Sequence, residues 1–370
     1  MNERHLQRQD SLFEQLPQNV DTAILAPSKS LYYLTGLSMH KSERPTLVFL
    51  RRSDPPVLLL PRLETGRARA TLGSDVQIVT YEDSVDPIDA ARKALRKLQS
   101  ELAKQTSIGL DFRGTRLLEY QLLADSYPWE NVHDIGPAIS RLREEKDSSE
   151  IEKLRTAGRI TDRLLTECIE QIEPGDSEAD IEREFRKRVL DSETDEFGGG
   201  IVTVGERTAL PHTTTGTRKV TSGDLVMIDV GVVLEGYHSD ITRTVAVGDV
   251  DAELETIYET VRRAARAARE AVAPGVPYQE IDRAARTIIE DAGYGEYFVH
   301  RAGHGLGLEG HEPPYLVEGN ESTLSVGNVI TVEPGIYIED LGGVRIEDDV
   351  VLTDEGAETL TQTTRELVRL

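Results

Sequence analysis

"MIDVGVVLEGYHSDITRT", residues 227–244, decides how the second half of this chain is read. Val226 to Val233 form an apolar run with the composition of a buried strand, and a Leu-Glu-Gly turn and a second run follow. Asp229 interrupts the first run and Asp240 opens the second. The two aspartates are equidistant from a turn centred on residues 234–235. A regular hairpin with that turn makes them cross-strand neighbours, with Cβ atoms about 5 Å apart. Carboxylates so close, one of them in an apolar strand, destabilise the fold unless something neutralises them.

The pattern recurs further along. "EPGDSEADIER" (173–183) matches "APGVPYQEIDR" (273–283) at an offset of 100, and each segment follows one predicted helix and begins another. "GDLVMIDVG" (223–231) aligns with "GNVITVEPG" (327–335), which places Asp229 against Glu333. Glu333 and Glu347 are again equidistant from a turn, centred on Asp340 in "EDLGG". His212 in "ALPH" and His311 in "GHEPP" lie ahead of the two acid-bearing strands. Two halves, each with two helices and a hairpin carrying an acid pair, read as a duplicated α+β unit whose acids meet at a pseudo-twofold axis.

Four carboxylates converging on an apolar centre cannot all stay ionised without cations, because burial and mutual repulsion raise their pKa values. Bound divalent metal resolves the conflict. A fifth donor, His304, stands in "HRAGHGLGLEGHEPP" (300–314), where glycines let backbone and ligand approach. The set Asp229, Asp240, His304, Glu333 and Glu347 is oxygen-rich with one imidazole. It suits two ions of Mn²⁺, Co²⁺, Fe²⁺ or Zn²⁺ rather than Ca²⁺, held about 3.5–4 Å apart by bridging carboxylates. Any one of these acids alone reads as a salt-bridge partner on a solvated strand; five in register with two hairpins do not.

Composition narrows the partners. The chain has 370 residues and a formal charge of −24, which argues against nucleic acid and anionic membranes. Only nine of its 42 basic residues are Lys. An acidic, lysine-poor surface fits a high-salt cytoplasm, where salt screens self-repulsion. One cysteine, Cys168, excludes an intrachain disulfide and fits the cytosol. The N-terminal stretch shows no apolar export signal, and no 18-residue apolar run is present.

Residues 1–140 read as a small α/β domain. "TAILAP", "PTLVFL", "PVLLLP" and "SIGLDF" are predicted strands. "DPIDAARKALRKLQSELAKQ" (86–105) and "GTRLLEYQLLADSY" are predicted helices. The second domain, 141–370, opens with a helix announced by Asp147 and Glu150 at capping-box spacing and carried on by Ile151, Leu154, Ile160, Leu164 and Cys168.

"ALPH", "IDVGVVLEGYHSDITRT", "GHGLGLEGHEPP", "TVEPGIY" and "GVRIEDDV" resemble the pita-bread metallopeptidases, the family of methionine aminopeptidase, aminopeptidase P, prolidase and creatinase. "SKSLYYLTGL" (28–37) resembles the start of the creatinase-type N-terminal domain. The resemblance implies that Asp240 and Glu347 bridge two metals, that Asp229 holds one ion, and that His304 with Glu333 holds the other. It implies a metal-bridging hydroxide as nucleophile and Glu333 as proton shuttle. His212 and His311 are implied to bind the scissile carbonyl and stabilise the tetrahedral intermediate. His300 and Tyr337 are implied pocket residues, and Arg345 is implied to border the metal centre and to pair with acidic groups there.

Retention of all five ligands argues against creatinase and against a binding scaffold. A lyase on the same fold is separable by assay. The short step from Glu333 to Glu347 argues against methionine aminopeptidase. The expected activity is hydrolysis of the bond before proline in Xaa-Pro dipeptides by a homodimer, with aminopeptidase P action on longer peptides as the alternative. A dipeptidase needs a cation near the metals for the substrate carboxylate, and Arg345 is the nearest by sequence. Gly310 departs from the bulkier residue of relatives and is expected to loosen His311.

Overall fold

The computed structural model describes residues 2–74, 76–83, 86–102 and 107–370. The chain forms two compact units, Met1–Arg143 and Glu144–Leu370. In the first, six strands run in the order Gln77–Tyr81, Val57–Pro61, Leu47–Arg51, Val20–Leu25, Ser107–Leu110 and Val132–Asp134. The four strands expected from sequence occupy the middle of this sheet. Its edges, at Gln77–Tyr81 and Val132–Asp134, are mostly exposed or half-buried and carry no alternating pattern. The expected helix over 86–105 is seen at Pro87–Leu102, with Ala91, Leu95 and Leu98 at helical spacing in the core; residues 103–105 lie outside the described residues.

The second unit opens with the helix Ser148–Ile169. Asp147 accepts from the backbone N–H of Ser149 and Glu150, and Glu150 reaches back to the N–H of Asp147 at 3.0 Å. Leu154, Ile160, Leu164 and Cys168 are buried along its inner face, while Ile151 is only half-buried.

The duplication seen in sequence is built into the backbone. Gly175 donates to the carbonyl of Val220 and Gly275 to that of Leu324, both at 2.9 Å. Glu178 donates to Arg218 and Tyr278 to Ser322 in the same way, at 3.0 and 2.9 Å. Each half has its own apolar core. Helices Ser148–Ile169 and Glu178–Leu190 cover the sheet containing Leu225–Leu234, and helices Ala252–Ala271 and Tyr278–Asp291 cover the sheet containing Val329–Val332.

The two hairpins differ in one respect from the expected symmetry. The first turns at Glu235 and Gly236, both at positive φ (48° and 83°), one residue later than the sequence symmetry places it. Asp229 therefore pairs with Thr242 rather than with Asp240. The shift is two residues, an even number, so both aspartates stay on one side of the ribbon as diagonal neighbours. The chain also leaves the ladder at Ser239, whose carbonyl presses on position 231; a Cβ there would meet it at 2.0 Å, so only glycine fits. The second hairpin keeps the expected register. Val332 pairs with Asp348 and Gly335 with Arg345, so Glu333 stands opposite Glu347. The ladder opens between these pairs because Pro334 has no N–H to donate.

Beside Glu347, Asp348 is fully buried and receives Arg243, Arg269 and Arg365, each at 2.7 Å. Burial works against its charge, but the three guanidinium groups prevail and hold its carboxyl below the usual range. Arg243 also donates to the carbonyls of Glu347 at 2.6 Å and Thr242 at 2.9 Å, which fixes the backbone carrying the ligand.

Candidate metal centre

Donor atoms of Asp229, Asp240 and Glu347 lie within 4.8 Å of one another, as do those of His304, Glu333 and Glu347, and those of Asp240, His304 and His311. Glu347 belongs to two of these three groups, and so do Asp240 and His304. This is the connectivity that two neighbouring cations sharing carboxylates require.

Local structure orients each donor. Gly303 and Gly305 flank His304 because their backbones pack against other carbonyls: a Cβ would meet Thr331 O at 2.0 Å and Pro313 O at 2.2 Å. The Nδ1 of His304 lies 3.1 Å from the carbonyl of Gly305, which can only accept, so Nδ1 carries the proton. Nε2 is left with its lone pair, 3.4 Å from Glu333 Oε1. Thr242 donates its hydroxyl to Glu347 Oε2 at 2.6 Å, and the N–H of Asp240 donates to Asp349 Oδ2 at 3.0 Å.

The electrostatics agree with a cation site. Burial, followed by the charges of Asp229, Asp349 and Glu333, raises Asp240 well above the usual carboxylate range. Glu347 is raised in the same way, by burial and then by Asp240, Glu333 and Asp229. Burial pushes Glu333 up to about 7; Asp229 adds to the rise, while Arg345 and Arg301 oppose it. His304 falls to about 3, first through burial and then through its neighbour His311, so its imidazole is neutral and ready to ligate. Acids that resist ionisation here gain from divalent charge, and the donor set fits such ions.

Arg345 pairs with an acid of the site, Asp229, rather than standing free. It is buried, and its guanidinium donates to Thr242 Oγ1 at 3.0 Å, to Tyr337 OH at 3.0 Å and to Asp229 Oδ2 at 2.5 Å. All three nitrogens are engaged and the side chain is 5% exposed, so the guanidinium serves Asp229, Tyr337 and Thr242 before any substrate group. Tyr337 in turn donates to His300 Nε2 at 2.9 Å, because His300 Nδ1 gives its proton to the carbonyl of Arg301 at 2.8 Å. One chain of hydrogen bonds thus joins Asp229, Arg345, Tyr337 and His300. Burial lowers His300 to about 4 and keeps it neutral.

His311 is exposed and stacks on His304 with ring centroids 3.8 Å apart. A Cβ at Gly310 would touch only His238, at 3.7 Å, so the space beside His311 is open. His212 is exposed in the loop after Gly205–Ala209, and its charge is felt at both His300 and His311.

Four participants carried no signal that sequence reasoning used. Thr242 and Asp349 support the ligands Glu347 and Asp240. Lys146 and Glu312 form a buried ion pair, Nζ to Oε1 3.0 Å, beneath the loop that bears His304 and His311. The nearest available cue was position: Thr242 is two residues from Asp240, and Glu312 adjoins His311.

Residues 152–354 match the model of metallopeptidase family M24, and residues 14–144 match the creatinase/prolidase N-terminal domain. The fold is similar to that of a prolidase from Thermococcus sibiricus, with a TM-score of 0.90 and 34% identity, covering 100% of both chains. It is also similar to the Xaa-Pro dipeptidase from Bacillus anthracis, with a TM-score of 0.89 and 30% identity over 99% of this chain and 100% of that one. Dipeptidase PepE from Mycobacterium ulcerans gives a TM-score of 0.88 and 33% identity, over 99% and 98% of the two chains. A catalytic-domain match over more than half the chain, joined to full-length likeness at these identities, establishes that the chain belongs to metallopeptidase family M24.

Proposed function

We propose that the chain is a dinuclear-metal Xaa-Pro dipeptidase. The observation that carries the reading is the convergence of Asp229, Asp240, His304, Glu333 and Glu347, with Glu347 shared between two donor groups. Divalent cations held there supply Lewis-acid polarisation of the scissile carbonyl and lower the pKa of water. Asp229, Asp240, His304, Glu333 and Glu347 would hold the ions, with Asp240 and Glu347 placed to serve both. Glu333 accepts the proton of the attacking water and returns it to the leaving amine. His212 and His311, exposed at the mouth, hold the carbonyl oxygen as negative charge develops. His300 and Tyr337 form the pocket wall, and Arg345 keeps Asp229 oriented.

Manganese or cobalt is the favoured metal, with zinc or iron also compatible with four carboxylates and one imidazole. The acidic, arginine-rich surface supports a salt-rich cytoplasm as the working environment, and the homodimer remains the proposed assembly.

The test is a panel of Xaa-Pro and Xaa-Ala dipeptides and Xaa-Pro-Yaa tripeptides, with Mn²⁺, Co²⁺ or Zn²⁺ added. Xaa-Pro dipeptides should be cleaved at least about tenfold faster than the tripeptides, some 1.4 kcal/mol of transition-state preference. Faster cleavage of tripeptides would make the protein an Xaa-Pro aminopeptidase instead.

A further inference from the structure

With Arg345 committed to Asp229, Tyr337 and Thr242, a dipeptidase lacks an evident receptor for the substrate's free carboxylate. Lys146 is no substitute, since its side chain is buried against Glu312. Arg301 is different. Its guanidinium carbon lies 4.1 Å above the centroid of the Tyr315 ring, and Tyr315 is the ladder partner of His304. The cation is therefore poised over the residue directly opposite the site's imidazole. Its backbone is fixed on both sides: its own carbonyl accepts from His300, and the next carbonyl, of Ala302, accepts from the N–H of Glu333 at 2.8 Å.

Two further properties set Arg301 apart. It is half-buried, and among the described residues its guanidinium has no carboxylate partner and no hydrogen bond. In a chain with 66 acidic residues and 42 basic ones, an arginine within electrostatic reach of Glu333 that pairs with no acid is unusual. The aromatic face stands where an acid partner would, and stacking leaves the edge N–H groups of the guanidinium free to point outward. Its charge is felt by Glu333, His304 and His311, so it lies within electrostatic reach of these site residues.

We propose that Arg301, held on the Tyr315 ring, receives the C-terminal carboxylate of the substrate; the assignment rests on the dipeptidase reading above. In a dipeptide that carboxylate follows the scissile bond by a single residue, about 3.8 Å along the chain. A guanidinium offers it two parallel N–H donors, which a longer peptide or an amide cannot use as a charge pair. Tyr315 is the positioning residue.

The experiment compares kcat/KM for an Xaa-Pro dipeptide and for its C-terminal amide in wild type, Arg301→Met, Arg301→Lys and Tyr315→Leu, with metal content measured in each. Wild type should favour the acid at least tenfold. Arg301→Met should bring the ratio near one, mainly through KM on the acid, with metal content retained; Arg301→Lys should recover part of it, and Tyr315→Leu should fall between. A wild-type ratio that survives in Arg301→Met overturns this assignment and leaves the dipeptidase reading standing. Equal losses on both substrates overturn it too, showing a structural role only. A wild type that cleaves neither substrate overturns the dipeptidase reading itself.

Discussion

Arg345 donates to Asp229 Oδ2 at 2.5 Å and, through its other nitrogens, to Thr242 and Tyr337. Thr242 in turn donates to Glu347, so one guanidinium touches the supports of a ligand from each hairpin. Arg345→Ala should therefore weaken metal binding and lower kcat on acid and amide substrates alike by about 10²-fold, the loss typical when a partner that orients a ligand is removed. Arg345→Lys should recover little, because one ammonium cannot span three partners. Elemental analysis with kinetics checks this; an unchanged metal content in Arg345→Ala would sink it.

The shared acids should be the most sensitive positions. Asp240→Asn and Glu347→Gln should each lose metal as well as rate, since in the proposed arrangement each removes a donor that would serve both ions. Two metals per chain retained in either variant would refute the bridging assignment.

Stability without metal should run against the usual acid-denaturation trend. Glu333 is raised to about 7 from 4.5, and Asp240 and Glu347 are raised well above the usual carboxylate range. Acids raised in the folded state bind protons more tightly than in the unfolded chain, so their contribution is complete below about pH 4 and is lost as pH rises through the folded values. A chelator-stripped sample should melt at progressively lower temperature from pH 5 to pH 8. Restored metal should reverse the loss, most strongly at the higher pH, by binding only the folded state. A melting temperature indifferent to chelator at pH 8 counts against the site.

Lys146 and Glu312 are buried together, with side chains 1% and 3% exposed. Lys146→Met removes the cation facing a buried carboxylate and should cost about 3–5 kcal/mol. The double variant Lys146→Met/Glu312→Leu should be more stable than that single variant. Thermal denaturation of the three proteins decides it; a single-variant loss under about 1 kcal/mol would remove the pair as a support of the His304 loop.

Salt offers a separate test. If the −24 charge is an adaptation to salt, melting temperature should climb as NaCl approaches 1 M, where the Debye length falls to about 3 Å. Equal stability at low salt would end that reading and leave the peptidase intact.

Elements with a periodic or symmetric signature were legible in the sequence. The duplication, the capped helix at Ser148 and the pairing of Glu333 with Glu347 all follow from spacing alone. The Asp229 hairpin was read two residues out of register because the positive φ of Glu235 and Gly236 moves the turn, and composition alone placed it between Leu234 and Glu235. Arg345 was expected beside the centre among acidic groups and also as a receptor for the substrate carboxylate. Its bonds to Asp229 and Thr242 of the other hairpin and to Tyr337 of its own are set by how the two hairpins pack, which local spacing does not encode. Thr242, Asp349 and Arg301 escaped for the same reason. A supporting hydrogen bond has no periodicity.

The preference for guanidinium that gathers three arginines on Asp348 also decides where amine chemistry can touch the molecule. No lysine follows Lys219, so the span carrying Asp229, His304, Glu333 and Glu347 contains no side-chain amine. Amine-directed crosslinkers, fluorophores or resins can attach only to the first 219 residues, and there Lys146 is shielded. Immobilisation through amines should thus leave the ligand-bearing stretch after Lys219 unmodified, while Lys153, Lys187 and Lys219 remain attachment points in the same unit. The arginine clusters of that stretch also keep their charge in alkali strong enough to neutralise lysine.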